Sequence, residues 1–246
     1  MNVVVIGGAG LVGSLIVRRL AGSHQVRLAD LDPADGHGVA EPMTVDVTDI
    51  GQVRSAVQGQ DALVYLAMGQ RSSWGETGGW VESHFDVNVK GLYLTLSAAA
   101  EAGVRQCVYA SSLSIFEDYL AWGHQLEHRT PDATDGYGLT KRLGEQVCEA
   151  VSRESALPVV SLRLCHPMPD EEWRDYSGPA PETVTAASDV ARAFDRALDY
   201  GASGHETFII TGDHAEATIS ARRTREVLGW APQLRREEAA EGDSEG

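Results

Sequence analysis

The sequence predicts an α/β fold, a doubly wound parallel sheet with a small region added at its C-terminal end. Two observations lead to this prediction. Short runs rich in β-branched residues alternate with longer stretches whose apolar residues have helical spacing. One such run, Ala62–Ala67, is almost wholly apolar, as expected for a strand covered on both faces. The length of 246 residues is sufficient for one such domain with a modest appendage.

The elements follow in order along the chain. Strands are predicted at Val3–Ile6, Val26–Ala29, Met43–Val45, Ala62–Ala67, Val104–Ala110, Val159–Leu164 and Thr207–Ile210. Helices are predicted from Leu11 to Leu20, from Asp49 onward, through Val87–Ala99, around Tyr137–Val151, over Ala187–Leu198 and over Thr218–Leu228. The carboxylate of Asp49 is expected to cap its helix. This alternation predicts strands that run parallel and helices on both faces of the sheet.

Charge and composition exclude several classes of partner. The formal net charge of −16 repels phosphate backbones and anionic lipid, so we expect neither nucleic acid nor a membrane surface as partner. The sequence has no apolar stretch that approaches a membrane span and no basic leader, which predicts a cytoplasmic protein. Cys107, Cys148 and Cys165 are far apart and are expected to be buried small residues. The histidines lack ligand spacing, and no metal is expected.

A glycine-rich turn joins the first strand to the first helix. Gly7, Gly10 and Gly13 have the spacing G-x-x-G-x-x-G, and Leu11 and Val12 begin the helix. In this context the first glycine permits a tight turn, the second lets a pyrophosphate approach the backbone, and the third lets the helix pack closely on the strand. The position between strand and helix is the one that the motif requires. The sequence therefore predicts a Rossmann-type site for a dinucleotide.

Acidic residues at the next two strand ends predict which dinucleotide is bound. Asp30 closes the second strand, at the distance from the glycines where a carboxylate meets the ribose hydroxyls of the adenosine. Its charge would repel a 2′-phosphate, which favours NAD over NADP. Asp46 and Val47 follow the third strand and are expected beside the adenine.

Three side chains are candidates for the reacting groups. Tyr137 and Lys141 are four residues apart on one predicted helix, so they share a face. A nearby cation favours the phenolate form of a tyrosine and brings its pKa toward the working range of a base. Ser112 lies at the carboxyl end of the preceding strand, where open α/β sheets bind their ligands.

Taken together, these segments resemble the extended short-chain dehydrogenase/reductase superfamily, in its NAD-dependent sugar epimerase/dehydratase branch. The matching strings are GGAGLVG at Gly7, the acidic Asp30, DVTD at Asp46, YLAMG at Tyr65, NVKGLYLTLSAAA at Asn88, VYASSLSIFED at Val108, YGLTK at Tyr137 and LRLCHP at Leu162. They occur in the order of the family over about two-thirds of the chain.

The resemblance implies a role for each matching residue. Tyr137 is the acid/base that takes a proton from a sugar hydroxyl while hydride leaves the same carbon, Lys141 is its partner, and Ser112 hydrogen-bonds the reacting oxygen. Lys141 also holds the nicotinamide ribose. The remaining residues implied to contact or support the cofactor are Leu66, Ala67, Met68, Asn88, Tyr137 and His166. A homodimer is the expectation for such a fold.

Departures from the family pattern narrow the implied activity. The 4,6-dehydratases have an acidic pair after the catalytic hydroxyl residue, whereas Leu113 and Ser114 follow Ser112 here, which argues against dehydration. The length of the chain and the string ISARRTREVLGWAPQ are similar to those of uronate dehydrogenases, although these enzymes carry Asn-His directly after the catalytic serine. Arg174 falls near their carboxylate-binding arginine. Arg71, Ser72 and Ser114 are further candidates for contact with the substrate. Arg71, Ser72, Ser73 and Trp74 follow the fourth strand and could equally line the substrate cleft or form an exposed loop.

The domains and functions predicted are as follows. Residues 1–165 form an NAD-binding domain that carries the Ser, Tyr and Lys site, residues 166–235 a small substrate-binding region interleaved with the last sheet elements, and residues 236–246 a flexible tail. The leading hypothesis is an NAD-dependent oxidoreductase acting on a hydroxyl of a sugar or sugar-like substrate. A nucleotide-sugar epimerase with tightly bound NAD is the alternative, and a non-catalytic dinucleotide-binding regulator is a third.

Overall fold

The computed structural model of the chain describes residues 1–72 and 74–236, and its centre is a parallel sheet of seven strands. The strands are β1 Asn2–Ile6, β2 Gln25–Asp30, β3 Glu41–Thr44, β4 Ala62–Tyr65, β5 Gln106–Ser112, β6 Val159–Leu164 and β9 His205–Ile210. Their order across the sheet is β3-β2-β1-β4-β5-β6-β9. The predicted α/β fold is thereby confirmed. All but one residue of the predicted 236–246 tail lie outside the described residues.

Helices cover both faces of this sheet. The longer ones are α1 Leu11–Leu20, α2 Ile50–Val57, α3 Gly79–Phe85, α4 Leu92–Glu101, α6 Gly136–Ser155 and α8 Ala187–Asp199, and short helices α5 and α7 span Tyr119–Trp122 and Asp170–Asp175. On one face Ile16 of α1 and Phe194 of α8 are buried in the same apolar cluster. On the other face α2, α4 and α6 bury Val53, Leu96 and Val151 in a second cluster. The sheet is therefore sandwiched between two apolar layers.

Several element bounds differ from the sequence predictions. The fourth strand ends at Tyr65, because the backbone after it leaves the sheet to line a cleft. The long helix predicted near Val87 begins eight residues earlier, at Gly79, and passes through a π-helical segment, Asp86–Gly91, before α4. The last predicted helix is reduced to a short helical stretch that ends with Thr224–Leu228 in π-helical form.

The segment after β6 closes over one end of the sheet. Two short strands, β7 Pro167–Met168 and β8 Thr185–Ala186, pair with each other on either side of α7. Trp230 is buried, and its indole Nε1 donates to the Asp189 carbonyl at 3.0 Å. The carboxylate of Asp189 accepts from the Gln233 amide, so the C-terminal segment is tied to α8. None of the described helices has the length and apolarity needed to cross a bilayer.

Candidate active site

A cleft of about 790 Å³ runs along the carboxyl ends of the central strands. It lies where the strand order reverses between β1 and β4, which is where open α/β sheets bind ligands. Most of the site residues predicted from sequence line it: Gly7, Gly10, Leu11, Val12, Gly13, Asp30, Asp46, Val47, Leu66, Ala67, Met68, Arg71, Ser112, Ser114, Tyr137, Lys141 and His166. The structure therefore brings together residues from seven separate segments of the chain.

The glycine-rich turn forms one end of the cleft. Gly7 has φ +82°, a left-handed conformation that favours glycine. A Cβ on Gly13 would lie 2.6 Å from the Gly7 carbonyl oxygen, so the helix packs on the turn too closely for a side chain. Gly10 is exposed, and a Cβ there would meet only the Gly7 oxygen, at 3.6 Å. Protein packing explains Gly7 and Gly13, whereas Gly10 is left open toward the cleft.

The first helical turn of α1 carries no side-chain cap. Gly10 occupies the N-cap position in extended conformation, and no acidic side chain lies in the first turn. The amides that begin a helix need acceptors, and an anion is a suitable one. The open face of Gly10, the uncapped amides and the positive end of the helix dipole together fit a pyrophosphate.

Asp30 and Asp46 lie at the adjacent strand ends of the cleft. The Oδ2 atom of Asp30 accepts from the Ala9 amide at 2.9 Å, and its Oδ1 atom accepts from the Leu31 amide at 2.8 Å. Asp46 Oδ1 accepts from the amide and the hydroxyl of Thr48. Both carboxylates line the cleft and are held by hydrogen bonds that they accept from neighbouring residues. As acceptors, they fit the hydroxyl and amino donors in the adenosine half of a dinucleotide.

Tyr137 lies at the start of α6, which is capped by Asp135. The Asp135 carboxylate accepts from the Tyr137 and Gly138 amides, both at 3.0 Å. Burial raises the pKa of the Tyr137 phenol, hydrogen bonding by the Ser112 hydroxyl lowers it, and the nearby charge of Asp135 raises it further. Ser112 and Tyr137 thus both line the cleft, and the Ser112 hydroxyl acts on the phenol.

Lys141 lies one helical turn beyond Tyr137 and is buried. Its Nζ atom donates to the Ala110 carbonyl at 2.8 Å and lies 5.9 Å from the centre of the Tyr137 ring. Burial lowers its pKa to about 8, while the neighbouring Cys148 and Glu145 favour its charged form. The bond to Ala110 therefore holds the Lys141 ammonium near the Tyr137 ring.

Asn88 is buried beneath the cleft rather than exposed in it. Its Oδ1 atom accepts from the Gly69 amide at 3.1 Å, and its Nδ2 atom donates to Thr140 Oγ1 at 3.0 Å. The Thr140 hydroxyl in turn donates to the Tyr137 carbonyl at 2.9 Å. Asn88 thus ties the loop after β4 to the helix that carries Tyr137.

Aromatic side chains surround Tyr137 on the side of the loop after β4. The ring centre of Trp74 lies 5.0 Å from that of Tyr137, 5.3 Å from that of Trp80 and 5.7 Å from that of His84. The sequence left open whether Trp74 lines the cleft or belongs to an exposed loop, and it did not identify Trp80 or His84 as residues of the site. Their spacing of four residues on one helix was the available signal, because it places them on the same face.

Two of the four residues predicted to contact the substrate line the cleft, and two do not. Arg71 and Ser114 line the cleft, whereas Ser72 and Arg174 are exposed and are not among its lining residues. Arg174 lies on α7. The buried residue of this helix is Trp173, whereas Arg174 is exposed. His166 is exposed at the cleft with φ +38°, a strained backbone for this residue type. From residues 166–235, only His166 and Pro167 reach the cleft wall.

Two groups near the site were not identified from sequence. Tyr119 lines the cleft from α5. Glu145 forms a buried ion pair with Arg163 at 2.8 Å and accepts from Ser111 at 2.6 Å, one turn beyond Lys141. Across the described ranges, no group of three or more His, Cys, Asp or Glu side chains has an arrangement that could hold a metal ion.

Comparisons with known proteins agree with this geometry. A family model described as the NAD dependent epimerase/dehydratase family matches residues 3–188. The chain is similar to a uronate dehydrogenase of Pseudomonas putida (25% identity, covering 92% of this chain and 82% of that protein). It is also similar to an NAD-dependent glucose-6-phosphate dehydrogenase of Haloferax volcanii (26% identity, 94% and 92% covered).

A solved structure shares the fold over almost the whole chain. It is a short-chain dehydrogenase/reductase superfamily protein from Agrobacterium tumefaciens with bound NAD. The TM-score is 0.78 and the sequence identity 21%, and the match covers 96% of this chain and 93% of that one.

Proposed function

The chain belongs to the NAD dependent epimerase/dehydratase family, and we propose that it is an NAD-dependent oxidoreductase acting on a hydroxyl group of a sugar or sugar-like substrate. One observation carries the proposal. The glycine-rich turn with Asp30 and the set of Ser112, Tyr137 and Lys141 line the same cleft. A dinucleotide-binding turn alone would suit a regulator, whereas the added phenol, ammonium and hydroxyl are the groups that alcohol oxidation requires.

Residues already described form the proposed binding site of the cofactor. Gly10 and the first turn of α1 bind the pyrophosphate, and Asp30 accepts from the ribose hydroxyls of the adenosine. Lys141 extends toward the nicotinamide ribose, and Ala67 and Met68 contact the cofactor from the loop after β4. NAD supplies a hydride acceptor when it is bound there.

The protein residues manage the proton and the reacting oxygen. The Tyr137 phenolate accepts the proton of the substrate hydroxyl as the C–H bond of the same carbon breaks and the carbonyl forms. Ser112 donates a hydrogen bond to that oxygen and holds it against Tyr137. Burial raises the pKa of Tyr137, and the hydrogen bond from Ser112 acts against this shift. The positive charge of Lys141, whose Nζ atom lies 5.9 Å from the centre of the Tyr137 ring, is proposed to favour the phenolate further.

The relatives favour a sugar as substrate. Both relatives described above are named as dehydrogenases, one of uronates and one of glucose 6-phosphate. The substrate proposed here is of the same general class, a sugar with an oxidisable hydroxyl. Arg71 and Ser114 line the substrate end of the cleft and are proposed to contact it.

The test is a substrate screen that follows NADH formation. Aldoses, uronic acids and sugar phosphates are offered with NAD, and at least one is expected to be oxidised. Tyr137→Phe should lower kcat by about a hundredfold or more while NAD affinity stays unchanged. Tyr93→Phe, on the exposed side of α4, is the matched control and should retain full activity.

Two outcomes would count against the proposal. Full activity of Tyr137→Phe would remove the catalytic assignment. Conversion of a nucleotide-sugar to its epimer with no net NADH would instead identify an epimerase, in which the hydride returns to the opposite face of the ring.

A further inference from the structure

We propose that Trp74 is a stacking platform for one face of the substrate ring and that it selects ring-closed sugars over open-chain polyols. This inference rests on the proposed function, because it assigns the specificity of the same cleft. It concerns a residue that takes no part in proton or hydride transfer.

Trp74 is a large aromatic side chain that is left open at the cleft. It is 54% exposed, although it lines the cleft and its ring centre is 5.0 Å from that of Tyr137. Burying an aromatic side chain is strongly favourable, so an exposed indole beside the reacting phenol is a surface available to a ligand.

The indole is held in place by buried rings behind it. Trp80 and His84 are 4% and 0% exposed, and both meet Trp74 edge-on. His84 Nδ1 is 2.9 Å from the Trp80 carbonyl oxygen, which fixes the imidazole. Trp80 in turn packs against Gly136, where a Cβ would approach its ring to 3.0 Å. The platform is therefore built on α3 and anchored to the residue before Tyr137.

The position of Tyr137 determines what can contact the platform. A hydroxyl that delivers its proton to Tyr137 is attached to a carbon close to the phenol, so the rest of the sugar lies within reach of Trp74. A closed pyranose presents several C–H groups on one face, and these form a flat apolar surface that fits an indole. An open-chain polyol has no such face and must lose many rotamers to imitate one.

The experiment compares three variants with a ring probe and an open-chain probe. Trp74→Ala is expected to weaken binding of the ring sugar by roughly tenfold to a hundredfold, because the buried apolar contact is lost. Trp74→Phe should keep most of the affinity. Trp122→Ala removes another exposed tryptophan, which packs under the Arg129 guanidinium away from the cleft lining, and should change nothing.

Binding is measured without turnover, so the result does not depend on activity. Saturation-transfer NMR and calorimetry, each with NADH present, use D-glucose and D-glucuronate as ring probes and D-glucitol as the open-chain probe. The KM for the best substrate of the screen is measured in parallel, and NAD affinity is measured for each variant. We expect Trp74→Ala to raise KM and Kd for the ring sugars, with D-glucitol binding and NAD affinity unchanged.

The outcomes separate this inference from the proposed function. If ring sugars bind and Trp74→Ala weakens that binding, the platform stands even where no sugar is oxidised. If the wild type oxidises a sugar and Trp74→Ala leaves KM and Kd unchanged, the platform is overturned and the function stands. An equal loss for D-glucitol, or a loss of NAD affinity of the same size, would also overturn it. Failure of every sugar to bind the wild type would overturn both.

Discussion

The carboxylate of Asp30 holds the backbone of Ala9, since its Oδ2 atom accepts from the Ala9 amide at 2.9 Å. Ala9 lies within the glycine-rich turn, and Asp30 ends β2. One side chain thus braces the turn that is proposed to bind the pyrophosphate and also presents a negative charge to the cleft. The two roles can be separated by substitution.

Asp30→Asn retains an acceptor for the Ala9 amide but removes the charge. We expect NADP affinity to rise about tenfold relative to NAD, because repulsion of the 2′-phosphate is relieved. Asp30→Ala should in addition lower the free energy of unfolding by about 1–2 kcal/mol, since the amide loses its partner. Cofactor titrations and denaturant unfolding measure the two effects. If Asp30→Asn leaves the ratio of NAD affinity to NADP affinity unchanged, the carboxylate does not contact the ribose.

Gly10 and Gly13 form a matched pair for the proposed pyrophosphate site. A Cβ on Gly13 would lie 2.6 Å from the Gly7 oxygen, whereas a Cβ on Gly10 would lie 3.6 Å from it. Gly13→Ala should therefore reduce both stability and NAD affinity. Gly10→Ala should leave the melting temperature unchanged and weaken NAD binding by about tenfold or more, because the methyl group occupies ligand space. Unimpaired NAD binding by Gly10→Ala would contradict the assignment.

Asn88 is predicted to position Tyr137 through Thr140. Asn88→Ala should lower the free energy of unfolding by about 1–3 kcal/mol, since it leaves the Gly69 amide without its partner and removes the bond to Thr140. It should also lower kcat more than it weakens NAD binding. Thr140→Val should show part of both effects, and Thr140→Ser little of either. Equal losses in kcat and NAD affinity for Asn88→Ala would indicate a general structural role instead.

The buried ammonium of Lys141 predicts a fall of activity in alkali. Its pKa is lowered to about 8 by burial, so it is charged at neutral pH and loses its charge above that value. The Tyr137 phenolate then loses the cation beside it, and kcat/KM should decline as the pH rises past about 8. Lys141→Arg should move the decline upward, because an arginine stays charged. Lys141→Met should be weakly active at every pH. If kcat/KM of this variant still declines in alkali, the titrating group is not Lys141.

Much of the fold could be predicted because its signals are local. Val3–Ile6 is apolar throughout and Val159–Leu164 is mostly apolar, and the predicted bounds of both strands agree with the structure within a residue. The Asp49 cap was also confirmed, since its carboxylate accepts from the Gly51 and Gln52 amides. The three cysteines are buried, as expected. The match of the family model to residues 3–188 confirmed the resemblance stated from the motifs.

The rest depends on contacts between distant segments. The bond from Asn88 to Thr140 joins residues 52 positions apart, and no spacing rule reports it. The start of the helix at Gly79 was missed because two glycines and no capping side chain precede its apolar residues. The loop that carries Trp74 has no periodicity, so its position beside Tyr137 follows only from the packing of Trp80 and His84.

The order of the strands has a consequence for synthesis of the chain on the ribosome. Strand β6 is wholly buried, and one of its edges is covered by β9, which begins 41 residues after β6 ends, at His205. Until β9 emerges, the growing sheet presents a mostly apolar strand with an unpaired edge, which is a template for association with other chains. A fragment that stops before His205 should therefore aggregate rather than persist as a smaller enzyme, and translation stalled in this interval should create a demand for chaperones.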